Sequence, residues 1–105
     1  MPYAEPLAEG EISRRLSELP GWQREGDSIT REYRLRYLAG LALIAHVVAI
    51  EEAAGHHADI IYTYGGVRFS ITTHAAGHKL TARDFGLAAE IEQAAASFTG
   101  PLDQP

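Results

Sequence analysis

The chain has 105 residues, 46% of them hydrophobic, and no cysteine. That is room for one domain with one core, and it excludes disulfide and thiolate chemistry. A formal charge of −5 argues against direct nucleic-acid binding, which draws its affinity from Lys and Arg set against phosphates.

The basic clusters, Arg14-Arg15 and the Arg31, Arg34, Arg36 series, read as solvated faces. No apolar run approaches the roughly 18–20 residues of a membrane-spanning helix. The most apolar stretch, Leu41 to Ile50, is interrupted by His46 and runs into Glu51-Glu52. The N-terminus lacks the basic region and apolar stretch of a signal peptide, so a cytoplasmic location without membrane attachment is expected.

Residues 1–10 read as an irregular arm, 11–98 as a single domain, and 99–105 as a flexible tail. From Glu11 to Leu19, the spacing of Ile12, Leu16 and Leu19 predicts a short amphipathic helix ended by Pro20-Gly21. Trp22–Glu25 and Ser28–Leu35 predict two strands joined around Gly26-Asp27. Ile29, Tyr33 and Leu35 share one parity. Arg31 breaks it and suggests an edge or a strand end.

Leu38 to Ala54 predicts the longest helix, stopped at Gly55. Its apolar surface is broader than one side of a small sheet covers, which suggests a central helix or an oligomer contact. His46, midway along it, is expected to pack in a core or interface. Asp59–Tyr64 and Val67–Thr73 predict a second hairpin, the latter strand with a clean period of two. Thr81 and Asp84 predict a capping box that opens a last helix to about Ser97. The sum is an α+β domain: a four-stranded antiparallel sheet with three helices packed on one face, in the order α-ββ-α-ββ-α.

Four of the five histidines lie between residues 52 and 84, where Glu52, His56, His57, His74, Arg83 and Asp84 gather. Histidine changes charge near neutrality, so such a cluster suits proton transfer. Glu52 and His56 are four apart, which places them on one helical face if the helix persists. Polar helix and strand ends would produce the same residues without any function. A zinc site is disfavoured, because the spacing does not match the motif with histidines four apart on a helix. Gly65-Gly66 is a hairpin turn, not a phosphate loop, and no serine has a nucleophile-elbow context.

Glu52, His56-His57, Tyr64, His74 and Asp84 fall at the spacing of an acid, a His-His-Pro run, an aromatic, a histidine and a helix-cap aspartate. Leu19-Pro20-Gly21-Trp22, Thr72-Thr73-His74 and Leu80-Thr81 through Leu87-Ala88 extend the match over about residues 11–95. On these residues the chain resembles the pterin-4a-carbinolamine dehydratase family, known in animals as a dimerisation cofactor of a homeodomain transcription factor. The departures are Ala58 in place of proline, Gly55 where a polar residue is common, and one extra residue in the loop Gly77-His78-Lys79-Leu80.

The resemblance implies dehydration of 4a-hydroxytetrahydrobiopterin to quinonoid dihydropterin, in tetrahydrobiopterin recycling after an aromatic amino-acid hydroxylase. It implies no metal and no organic cofactor. His56 and His74 would transfer protons and His57 would position the pterin. Glu52 and Asp84 would orient or tune them, and Arg83 would help hold the site. It also implies a homodimer or homotetramer. The alternative is a non-catalytic member of the same fold that serves as a protein-binding module, either a transcriptional cofactor or an assembly factor.

Overall fold

The computed structural model describes residues 5–98. Residues 1–4 and the tail 99–105, expected to be frayed, lie outside the described residues. The order is α1 (Glu9–Leu16), β1 (Gln23–Glu25), β2 (Ser28–Arg34), α2 (Tyr37–Ala54), β3 (Asp59–Thr63), β4 (Gly66–Ile71) and α3 (Ala82–Ala95), with a single 3₁₀ turn (His74–Ala76) before α3. The strands form one antiparallel sheet in the order β1-β2-β4-β3. This is the expected α+β architecture.

The period of two decides which side chains enter the core. Ile29 and Tyr33 of β2, Val67, Phe69 and Ile71 of β4, and Ile60 and Tyr62 of β3 share a face by register. With Leu43 and Val47 of α2 and Phe85, Leu87, Ala88 and Ile91 of α3, they make one hydrophobic cluster. The opposite face carries Glu32, Arg68 and Ser70. α1 begins two residues before the expected start and ends at Leu16, three residues before the expected end. Glu11 anchors it by ion pairs to Arg14 and Arg15.

Arg31 is not on an edge strand. β2 is an inner strand, although its pairing with β1 stops at Thr30 and Arg31 faces only β4. The side chain points to the helix side, where its guanidinium lies 4.4 Å from the Tyr33 ring centroid and its Nε is 3.6 Å from Glu92 of α3. Tyr33 donates its hydroxyl to the same Glu92 carboxylate, as does the Trp22 indole N–H at 3.0 Å. Burial, then this carboxylate, pushes the Tyr33 phenol well above its ordinary range.

α2 starts one residue before the expected Leu38 and ends, as expected, at Ala54 before Gly55. Its 18 residues have a mean hydropathy of 1.5, enough by length and composition for a membrane span. Its packing within the chain accounts for one stripe of that composition. Gly40, Leu43, Val47 and Glu51 form the buried stripe. A Cβ on Gly40 would come within 3.1 Å of Tyr62 and Val67 side chains, so glycine lets the helix lie close on the sheet. The opposite flank is bare, with Leu38 75% exposed and Tyr37, Leu41 and Val48 also exposed.

Candidate active site

Two helix ends meet at one edge of the sheet. α2 stops because Gly55 adopts a left-handed conformation (φ 65°) and returns its N–H to the Glu51 carbonyl at 2.8 Å. The Arg83 guanidinium donates to the Ala54 and Gly55 carbonyls at 3.3 and 3.0 Å, placing positive charge on the negative helix end. The chain then crosses to β3 through His56, His57 and Ala58.

The start of α3 comes up beside it. Asp84 Oδ2 accepts the Thr81 N–H at 2.8 Å, and Thr81 Oγ1 accepts the Arg83 N–H at 3.2 Å. This is the reciprocal cap expected of Thr81 and Asp84. The same Oδ2 accepts the Thr73 hydroxyl at 2.8 Å, and Thr73 Oγ1 is 2.8 Å from Thr81 Oγ1. Asp84 Oδ1 is left to His56, whose Nε2 lies 2.7 Å away. Both are buried, Asp84 fully and His56 to 8% exposure.

That network assigns the His56 tautomer. A carboxylate only accepts, so Nε2 carries the proton and Nδ1 is the free nitrogen. This is the arrangement in which a buried acid fixes an imidazole for proton exchange through its other nitrogen.

The expected Glu52–His56 pair does not form. Glu52 Oε2 is 3.0 Å from Nε2 of His57, and both side chains are exposed. The helical repeat that would align Glu52 with His56 is broken at Gly55, one residue earlier. His74 does not continue the β4 pleat either. β4 ends at Ile71, Thr73 is buried, and His74 opens the 3₁₀ turn with its ring exposed. Its neighbour is His78, edge-on with ring centroids 4.5 Å apart. His78 has a positive φ of 62°, which is uncommon for a non-glycine residue.

His56, His57, Ala58, Thr73, His74 and Arg83 line one cleft of about 310 Å³. The three histidines and Arg83 singled out in the sequence therefore share a wall, with Asp84 behind His56 and Glu52 behind His57. Tyr64 does not line this cleft. It is 86% exposed beyond β3 and lies 5.9 Å from the Tyr37 ring. A larger cavity of about 510 Å³ lies beside Gly21, Gln23, Arg31 and Arg68, but it contains no histidine, and its Arg68 is paired with Glu25 at 2.6 Å. Among the described residues, no three His, Asp or Glu side chains converge as a metal-binding set.

Three supporting residues escaped the sequence reading. Thr73 has the parity of the buried Val67, Phe69 and Ile71, and a hydroxyl at a core position was the available signal. Glu51 stands four residues beyond Val47 in the buried stripe of α2. His78 lies in the extra-length loop, and nothing in its spacing pointed to His74.

The α+β domain thus carries a small, histidine-lined cleft backed by a buried Asp84–His56 pair. The family model described as pterin 4 alpha carbinolamine dehydratase matches residues 5–94. A Streptomyces avermitilis protein provisionally named pterin-4-alpha-carbinolamine dehydratase is 41% identical over 92 residues, covering 87% of this chain and 91% of its own. A Chloroflexus aurantiacus protein with the same provisional name is 46% identical over 88 residues, covering 83% and 94%. The crystal structure of a transcriptional coactivator/pterin dehydratase from Brucella melitensis superposes with a TM-score of 0.81 at 25% identity, covering 86% of this chain and 98% of that one. The chain belongs to the pterin 4 alpha carbinolamine dehydratase family.

Proposed function

We propose that this protein is a hydro-lyase that dehydrates 4a-hydroxytetrahydrobiopterin to quinonoid dihydropterin, by histidine acid–base chemistry, in tetrahydrobiopterin recycling. The observation that carries the reading is the cleft with His56, held through Nε2 by Asp84, and His74 in one wall. The C4a–O bond breaks as an acid protonates the departing hydroxyl. A base takes the N5 proton, a C4a=N5 double bond forms, and water leaves. His56 and His74 supply the acid and the base. His57, steadied by Glu52, positions the pterin, and Arg83 holds the α2 end that carries both adjacent histidines. No metal or organic cofactor enters the scheme. A cytoplasmic setting fits a water-soluble substrate delivered by an aromatic amino-acid hydroxylase.

The test is stopped-flow absorbance of freshly generated 4a-hydroxytetrahydropterin with and without the protein. Acceleration above spontaneous loss is expected. No acceleration by folded protein overturns the reading.

A second reading, a protein-binding module, draws on the bare flank of α2, where Tyr37, Leu38, Leu41 and Val48 are exposed. We assign this flank first to self-association as a homodimer or homotetramer. Light scattering at micromolar concentration is expected to give more than one chain's mass, and Leu38→Glu with Leu41→Glu to give the monomer. A monomeric wild type leaves the flank to another protein, which pull-down would then identify.

A further inference from the structure

We propose that Glu51 is a positioning residue for the His56–His57 pair, acting through the amide of Ala58. This assignment rests on the dehydratase reading only for its effect on turnover.

Glu51 is 4% exposed, yet it bears a carboxyl group and sits in the last turn of α2, where the helix dipole disfavours an anion. Among the described residues no Lys, Arg or His pairs with it. Its side-chain hydrogen bond comes from the Ala58 N–H, 3.0 Å from Oε2. A buried carboxylate without a cation is costly, so a side chain retained there has to be recovered by what it holds.

What it holds is the turn between α2 and β3. The Glu51 carbonyl accepts the Gly55 N–H at 2.8 Å and the His56 N–H at 3.3 Å, and its carboxylate accepts the Ala58 N–H. One residue therefore fastens both ends of the segment 55–58, and the residues between the fastenings are the two histidines. A proline at 58, as in the His-His-Pro pattern, has no N–H to offer and stiffens the turn by fixing φ near about −65°. Here the hydrogen bond replaces the ring constraint. The Glu51 carboxylate and a non-proline residue at 58 form a matched pair, and each is a liability without the other.

The prediction is a double-mutant cycle. Glu51→Ala leaves the Ala58 N–H without its acceptor, and Ala58→Pro leaves the buried carboxylate without its donor. Each single change is expected to shift the folding equilibrium about 10- to 100-fold towards the unfolded chain. The double variant is expected to recover most of that loss, and Glu51→Gln, which keeps an acceptor oxygen, to lie near wild type. In Glu51→Ala the ring resonances of His56 and His57 should move in ¹H–¹³C NMR, and kcat should fall more than KM rises, with Glu51→Gln restoring both. Additive losses in the cycle overturn the proposal. So do unmoved ring resonances in folded Glu51→Ala. If that variant does not fold, the double variant decides by its stability. If wild-type protein leaves the carbinolamine untouched, the dehydratase reading falls, and the cycle and the ring spectra still judge the role of Glu51.

Discussion

Asp84→Ala is expected to lower stability by about 3–5 kcal/mol, the range for removing one member of a buried, hydrogen-bonded pair. The reason is the number of donors that lose their acceptor at once. The Thr81 N–H and the Thr73 hydroxyl lose their acceptor, and the Nε2–H of His56 is left buried without a partner. Denaturant titration measures the loss, and a change under about 1 kcal/mol would mean that the network contributes little net stability.

Asp84→Asn separates the structural role from the chemical one. The Asn carbonyl can serve Thr73 and Thr81, while its amide must donate to His56. Nε2 then becomes an acceptor, and the proton moves to Nδ1, the nitrogen that Asp84 otherwise leaves free. With the fold largely kept, turnover of the carbinolamine is expected to fall about 10²–10⁴-fold, as proper for a lost acid–base group in the wrong tautomer. An unchanged kcat in Asp84→Asn would remove His56 Nδ1 from the proton path.

Much of this architecture was legible because it is local. Alternation through Val67, Phe69 and Ile71 gave β4, and Thr81 with Asp84 gave the start of α3. What stayed hidden depends on distant partners or on a break in periodicity. Arg31 looked misplaced because its partners, the Tyr33 ring and Glu92, meet only when α3 folds over the sheet. Glu52 and His56 looked paired because their spacing is helical, but the left-handed Gly55 rotates everything after it and hands Glu52 to His57. The cleft follows the same division. Its histidines were visible as residue types at a spacing. The buried Asp84–His56 bond needed the meeting of two helix ends that are remote in sequence.

His74→Ala is the cleanest test of the chemistry. His74 is exposed and makes its aromatic contact with His78 alone, so its removal should change stability by no more than about 0.5 kcal/mol. Any rate loss is then a loss of function rather than of fold. The expected fall in enzyme-dependent turnover is about 10²–10⁴-fold, the usual contribution of one acid–base group. His56→Ala should lose at least as much, but it also strands the Asp84 carboxylate and will be less stable. Because the carbinolamine also dehydrates unaided, rates must be corrected for the spontaneous reaction, and a large loss will appear as a return to that background. If His74→Ala keeps the wild-type rate and His56→Ala does not, one proton is handled by solvent at the open side of the cleft. If both keep it, neither imidazole carries a proton, and the cleft is a binding site whose histidines serve recognition.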